Sequence, residues 1–329
     1  MNDRTCLSPT AHELPSRLLG MDVNASRQLF PVLVVDDDKV CRELVSAYLA
    51  AAGYQVQQAE NVEEAESLLL TSQYRLVLCD WLMPLRNGLQ LCQQLRQQEQ
   101  HYHYLLLMTA QNQKHAVVEG LQSGADDFLF KGFSMVELVA RVDCGVRVLL
   151  AQSLLEKQQQ ELLFRVQHDA LTTVYNRAYL LDMLPKLIAT SQRYQENLSI
   201  VMVDLDHFKA INDSYGHLGG DMVLKATALV MQQGIRETDL VARYGGEEFM
   251  LVLPHTNQEQ AWLVAEKVRL QLSHTHITLP DQELPIQVTA SLGVTQLLAI
   301  DSVDSLIQRA DALLYQSKKQ GRNRCTQSY

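Results

Sequence analysis

Over its first half this chain alternates five short apolar runs with amphipathic stretches, a pattern few folds accept. The runs are Val32–Val35, the segment around Val56, Leu76–Cys79, Leu105–Met108 and Phe128–Phe130. Between them lie Arg42–Ala52, Val62–Thr71, Leu89–Gln98 and Ala116–Ser123, with apolar residues at helical spacing. A strand apolar at every position is covered on both faces, whereas a strand with one wet face alternates. The repeat therefore predicts an α/β unit over residues 31–150: a doubly wound parallel sheet of five strands. Residues 1–30 are polar and aperiodic and read as a flexible tail.

The 329 residues exceed one such sheet, so a second domain is expected. Ser134-x-x-Glu137 reads as a capping box, and from Met135 to Gln167 there is no proline and one glycine, Gly145. A long connecting helix is predicted there, with 151–167 as the linker and a parallel coiled coil through it. From His168 to residue 329 the pattern differs. Helices are expected at Tyr179–Ser191, Asp221–Gly234, Gln258–Leu272 and Val303–Lys319. Strands are expected at Ser199–Leu205 and Ile286–Thr295, and a hairpin over Leu240–Leu253 turns at Gly245-Gly246. Strands joined by a tight turn as well as by helices make an α+β domain.

Apolar residues at 47% and charged residues at 20% exclude a disordered or fibrous chain. Lys plus Arg number 28 against 38 Asp plus Glu, a net charge of −10, which argues against nucleic acid or a membrane surface as partner. No apolar run approaches the ~18 residues of a membrane span. The first residues lack a basic stretch followed by an apolar core, so no signal peptide is read and a cytoplasmic location is expected. The six cysteines (6, 41, 79, 92, 144 and 325) are scattered without a C-x-x-C pair, as free thiols of a reducing compartment would be.

In a doubly wound sheet, ligands sit at the carboxyl ends of the strands. Here those ends carry Asp36, Asp37 and Asp38, then Asp80, Thr109 and Lys131. Crowded carboxylates call for a hard cation such as Mg²⁺, and a carboxylate beside Mg²⁺, a lysine and a threonine can accept a phosphoryl group. These residues, with DWLMP at Asp80–Pro84 and GADDFLFK at Gly124–Lys131, resemble the response-regulator receiver domain. The resemblance implies Asp80 as phospho-acceptor and a Mg²⁺ site of Asp36, Asp37, Asp80 and the Leu82 carbonyl. It implies Thr109 and Lys131 as sensors of the phosphoryl group, Phe128 as the switch aromatic, and a cognate sensor histidine kinase as partner. The family usually has Lys-Pro where this chain has Lys131-Gly132, so a trans, looser loop is expected.

In the second domain, Asp204 and Asp206 end an apolar strand, at a spacing that points both to one face if the strand continues. Arg243-Tyr244-Gly245-Gly246-Glu247-Glu248-Phe249 sets two carboxylates after a backbone-accessible turn, a donor set suited to divalent metal and a nucleoside triphosphate. With HDALTTVYNR from His168, VDLDHFKAINDSYGHLGGD from Val203, VTASLGV from Val288 and ADALLYQSKKQGRN from Ala310, this resembles the GGDEF family of diguanylate cyclases in its GGEEF form. That implies a nucleotidyl-cyclase, palm-like fold that joins two GTP into cyclic di-GMP, with Mg²⁺ or Mn²⁺ at Asp204, the Leu205 carbonyl and Glu247. Asn212, His217 and Asp221 would bind the guanine nucleotide, and Lys209, Lys318 and Arg322 would stabilise phosphate charge. Glu248 would support the site, and which glutamate is the base stays open. Each domain would hold one GTP, so a homodimer or higher homo-oligomer is required.

Arg236-Glu237-Thr238-Asp239 matches the family's R-x-x-D motif, which implies cyclic di-GMP bound as product and inhibitor at Arg236 and Asp239. Thr173 and Val174 stand where the family usually has Gly and Leu. Two other readings stay open: a non-catalytic GTP or cyclic di-GMP sensor signalling by protein contact, and a first domain that serves only to dimerise.

Overall fold

The computed structural model describes residues 26–70, 73–97, 101–110, 122–278 and 285–328. The tail up to residue 25, Cys6 and most of the helix expected at Ala116–Ser123 lie outside them. The chain divides into two compact units that meet at Gln160 and Glu161.

The first unit is a five-stranded sheet in the order β2-β1-β3-β4-β5, with every pairing parallel. Its strands are β1 (Val32–Val35), β2 (Val56–Ala59), β3 (Leu76–Asp80), β4 (Tyr104–Thr109) and β5 (Asp127–Phe130). Helices α1 (Lys39–Ala51), α2 (Val62–Leu69) and α3 (Gly88–Gln97) alternate with them. The continuous apolar runs are explained by two cores. Val32, Val34, Leu76 and Leu78 face Val45 and Leu49 of α1 and the helix after β5. Leu33, Val35, Val77 and Cys79 face Ala65 of α2 and Leu91 and Leu95 of α3. Each fully buried side chain of this size contributes ~1.5–3 kcal/mol. The amide of Val40 donates to Asp38 Oδ1 (3.0 Å) and that of Glu64 to Asn61 Oδ1 (2.9 Å), which starts α1 and α2 where the strands release the chain.

Two expectations need correction here. Ser26–Phe30 does not belong to a loose tail. Phe30 is 5% exposed, and Arg27 donates to Asp143 Oδ1 (2.9 Å) and to the Ala52 carbonyl (2.8 Å). Apolar packing and one ion pair thus order a stretch whose composition is that of a loop. The Ser134 capping box is half formed: Ser134 Oγ accepts from the Glu137 amide (3.2 Å), while Glu137 turns to Arg141 (3.7 Å).

The helix that follows, α4, runs from Met135 to Gln167 without a break. Leu138, Val142, Val146 and Leu149 bury into the first sheet. Beyond them Leu155, Leu162 and Val166 are exposed.

The second unit has six strands in the order β11-β10-β7-β9-β8-β6. They are β6 (Tyr175–Asn176), β7 (Leu198–Leu205), β8 (Leu240–Gly245), β9 (Glu248–Pro254), β10 (Ala290–Gln296) and β11 (Cys325–Gln327). The central pairings are antiparallel and the two edges parallel. Helices α5 (Arg177–Tyr194) and α8 (Val303–Lys319) cover one face, α6 (Phe208–Gly234) and α7 (Gln258–His274) the other.

Two elements differ from expectation. α6 begins thirteen residues before Asp221, with Phe208 and Ile211 packed against the core, and bends at Gly216 (φ +70°), which interrupts the helical pattern between the two halves. β10 begins at Ala290, since Ile286 makes only an isolated bridge to Ile277. The described cysteines are free. Among the described residues no helix is long and apolar enough to cross a membrane.

Candidate functional site

Parallel strands deliver their carboxyl ends to one rim, and the first acidic cluster forms there. Asp36 follows β1, Asp80 ends β3, Thr109 ends β4 and Lys131 follows β5. Carboxylate oxygens of Asp36, Asp37 and Asp80 lie within 4.8 Å of one another. Asp36 and Asp80 are buried and Asp37 is exposed. Lys131 Nζ is 3.1 Å from Asp36 and 3.0 Å from Asp80. Burial raises the Asp80 carboxyl above its ordinary range, against the pull of Lys131. Burial disfavours the Lys131 cation, but the two carboxylates outweigh it and hold the ammonium charged. One ammonium among three carboxylates leaves negative charge and oxygen donors to spare, which fits a hard divalent cation.

The Lys131 amide donates to the Thr109 carbonyl (2.7 Å), so the hydroxyl and the ammonium share this rim. Leu82, whose carbonyl was expected at the metal, follows Asp80 by two residues with its side chain exposed. Phe128 is buried and its ring lies 6.0 Å from that of Trp81. No described peptide bond is cis, and Gly132 has φ +105°, a backbone closed to proline.

The second cluster is built on the antiparallel pair β7 and β9. Asp204 pairs in register with Glu248, and the Leu205 amide donates to the Glu247 carbonyl (3.3 Å). Lys318, from the last turn of α8, lies 2.7 Å from Asp204. Burial raises the Asp204 carboxyl, with Lys318 opposing it. Burial and the neighbouring Asp204 raise that of Glu247. Two carboxylates that resist charging beside one lysine again suit a divalent cation. Arg322 lies just beyond Lys318 and is exposed, as is Lys209 on the first turn of α6.

The bend in α6 brings Asn212 back over Gly220. A Cβ at Gly220 would lie 2.0 Å from Asn212 Oδ1, so only glycine leaves that amide in place, beside Asp221. His217 is exposed just past the bend.

Asp206 does not share the Asp204 position, because β7 ends at Leu205. Its buried carboxylate accepts from Thr289 Oγ1 (2.7 Å), Ser291 Oγ (2.7 Å) and the Asn323 amide (3.0 Å). Arg236 and Asp239 close a turn before β8. The Arg236 amide donates to Asp239 Oδ2 (2.9 Å), Arg236 is exposed, and Asp239 Oδ1 is buried without a hydrogen-bond partner.

Two residues of this site have no signal in the sequence beyond membership of a motif block. Arg243 donates to the Gly246 carbonyl (2.7 and 3.0 Å) and to Asp169 (3.1 Å), so it fixes the glycine turn to the loop after α4. Asp169 also accepts from the Thr172 amide and hydroxyl.

The family comparisons fall on these two units. The family model for the response regulator receiver domain matches residues 32–143, and that for the diguanylate cyclase GGDEF domain matches residues 166–324. Response regulator PleD of Caulobacter vibrioides is 30% identical over 317 residues, which cover 94% of this chain and 69% of PleD. Diguanylate cyclase VdcA of Vibrio cholerae is 42% identical over 174 residues, 52% of this chain and 48% of VdcA. The crystal structure of the coiled coil and GGDEF domain of DgcB from Caulobacter crescentus in complex with c-di-GMP matches with a TM-score of 0.52 and 27% identity, over 60% of this chain and all of that one. Fold and comparisons together define a receiver domain followed by a GGDEF domain. The chain belongs to the response regulators that carry a diguanylate cyclase domain, and it is a diguanylate cyclase.

Proposed function

We propose that this enzyme condenses two GTP into cyclic di-GMP and two pyrophosphates under the control of phosphorylation at Asp80. The observation that carries the reading is the pairing of buried Asp204 with half-buried Lys318 at the glycine turn, with Glu247 beside it. Asp204, the Leu205 carbonyl and Glu247 hold Mg²⁺ or Mn²⁺. When bound, the ion makes the 3′-hydroxyl more acidic and screens the leaving pyrophosphate. Asn212 and Asp221 read the guanine edge and His217 lies on the nucleotide. Lys209, Lys318 and Arg322 hold the triphosphate and offset charge that grows on it in the transition state.

The 3′-oxygen of each GTP bonds to the α-phosphorus of the other. The bond from that phosphorus to the bridging oxygen breaks and pyrophosphate leaves. The hydroxyl proton passes to a glutamate of the Glu247–Glu248 pair. One unit binds one GTP, so two copies of the chain must meet. Leu155 and Leu162, exposed one heptad apart on α4, support a homodimer through that helix.

In the receiver, Asp36, Asp37, Asp80 and the Leu82 carbonyl hold Mg²⁺, and a cognate histidine kinase in the cytoplasm supplies the phosphoryl group. The phosphoryl group adds about −1.5 to −2 charge, which Lys131 and Thr109 turn to meet, with Phe128 following. Arg236 and Asp239 take up product and restrain the enzyme.

Purified protein incubated with GTP and Mg²⁺, with and without beryllofluoride, tests the reading by chromatography of the nucleotides. Cyclic di-GMP that rises with beryllofluoride is the expected result. Equal product in both reduces the receiver to a scaffold. Bound nucleotide with no product in either overturns the enzymatic reading.

A further inference from the structure

Lys318 reaches Asp204 from a regular helix, but Arg322 stands on a turn in a backbone conformation that arginine itself does not favour. Beyond α8, Gly321, Arg322 and Asn323 all have positive φ (+114°, +62° and +47°). Glycine takes this backbone freely and asparagine tolerates it, whereas arginine rarely adopts it. Consecutive residues of this kind persist where the surroundings over-determine them. Three contacts do so. The Arg322 amide donates to the Ser317 carbonyl (3.1 Å), Arg269 Nη1 donates to Asn323 Oδ1 (2.7 Å), and the Asn323 amide donates to Asp206 Oδ2 (3.0 Å).

The third contact joins the turn to the catalytic strand. Asp206 is 5% exposed, its amide donates to the Thr289 carbonyl (2.8 Å), and its other carboxylate oxygen is held by Ser291. Within three residues, the end of β7 thus offers Asp204 to Lys318 and Asp206 to the turn that bears Arg322.

We infer that Asp206 is a positioning residue: it holds the Gly321–Asn323 turn in its left-handed form, so that Arg322 faces the triphosphate of the GTP carried at Asp204 and Glu247. This rests on Arg322 as a phosphate ligand, as proposed above. The requirement is for an acceptor oxygen, because the hydroxyls of Thr289 and Ser291 can rotate to accept whereas the Asn323 amide can only donate. Asparagine at position 206 can keep an oxygen toward Asn323 and turn its amide to Ser291. Alanine offers no acceptor, and serine is too short to reach.

The test is equilibrium binding, with Mg²⁺, of 3′-deoxy-GTP (which lacks the attacking hydroxyl) and of GMP (which lacks the outer phosphates). The readout is the ratio of the two affinities in full-length protein. Arg322→Ala is expected to lower that ratio about tenfold or more, the loss of one charged phosphate contact. Asp206→Ala and Asp206→Ser are expected to lower it to a similar degree with GMP affinity unchanged. Asp206→Asn should preserve it, and Asp206→Ala with Arg322→Ala should lower it no further than Arg322→Ala alone. Amide exchange should rise at Asn323 in the alanine and serine variants only.

Equal loss of GMP and triphosphate binding in both the alanine and the serine variant would make Asp206 a residue of general stability and overturn the inference. Additive effects in the double variant would also overturn it. So would an unchanged ratio in Asp206→Ala beside a normal Arg322→Ala effect, which leaves the phosphate role of Arg322 standing. An unchanged ratio in Arg322→Ala overturns that role, and the inference with it.

Discussion

In the receiver Lys131 lies 3.1 Å from Asp36 and 3.0 Å from Asp80, and in the cyclase Lys318 lies 2.7 Å from Asp204. The residue types are the same and the construction differs. Four parallel strands end at one rim, so the receiver site draws on β1, β3, β4 and β5 and gathers its full set of groups within one sheet edge. The cyclase site draws on a strand end and a hairpin turn of one antiparallel pair, with Lys318 added from α8. A closed rim suits a group as small as phosphoryl. A row of donors along a hairpin suits half of a reaction between two bulky nucleotides. On the proposed function, the receiver site acts within one chain, while the cyclase site supplies one half of a reaction between two copies.

The largest expected effect separates the two sites by function. Glu247→Gln should lower cyclic di-GMP formation by at least ~10³-fold, because on the proposed function it removes a metal ligand and a charge at the reacting phosphate. Asp80→Asn should abolish phosphoryl incorporation from a small phosphodonor, seen by intact mass, and with it any response to beryllofluoride. A Glu247→Gln enzyme within tenfold of the parent would break the comparison.

Next comes metal binding at the receiver rim. Burial raises the Asp80 carboxyl, so protons compete with Mg²⁺ there at a higher pH than they would at an exposed aspartate. Affinity should fall as pH falls, by up to about tenfold per pH unit once below that pKa. Trp81 adjoins Asp80, and its fluorescence during a Mg²⁺ titration at several pH values reports the change. A pH-independent affinity would show that Asp80 contributes no ligand.

A smaller effect concerns stability in the cyclase unit. Arg309 donates to both oxygens of Asp301 (2.5 and 2.8 Å), which holds that carboxyl below its ordinary range. A depressed carboxylate stabilises the fold above its unfolded pKa of about 4 and loses that contribution as pH falls through the lower folded value. Asp301→Asn should cost about 2 kcal/mol at pH 7, with the difference shrinking below about pH 4. Thermal unfolding against pH decides this, and a difference that persists undiminished at pH 3 would refute the ionic origin.

The smallest effect is at Thr173, which has φ +60° where the family usually has glycine. Thr173→Gly should stabilise the cyclase unit by about 0.5–1 kcal/mol, since relief of a β-branched residue in that region exceeds the entropy glycine adds to the unfolded chain. A fall in melting temperature would mean that the Thr173 conformation is not strained.

Much of both units is legible in the sequence alone. Helices Met135–Gln167 and Val303–Lys319 have the bounds that pattern predicts, and four of the five receiver strands coincide with apolar runs, the exception being the edge strand β2, whose sequence is Val-Gln-Gln-Ala. The acidic pairs are legible because each ends an apolar strand or follows a glycine turn. What escapes is non-local. The first turns of α6 put Phe208 and Ile211 against the core but are cut off from the rest of the helix pattern by Gly216, and the ordering of Ser26–Phe30 depends on Asp143, more than a hundred residues away. Asp169 and Arg243 look like ordinary polar members of their blocks until the fold brings them to 3.1 Å.

Local pattern was sufficient for most strands and helices and for the families, because periodicity and motif spacing are properties of neighbouring residues. Tertiary structure decided which charges meet. Lys318 finds Asp204 and the Asn323 amide finds Asp206 only because α8 and the turn after it pack against β7 and β10, at separations of more than a hundred residues. Such contacts follow from sheet order and helix packing, which no local window of residues encodes.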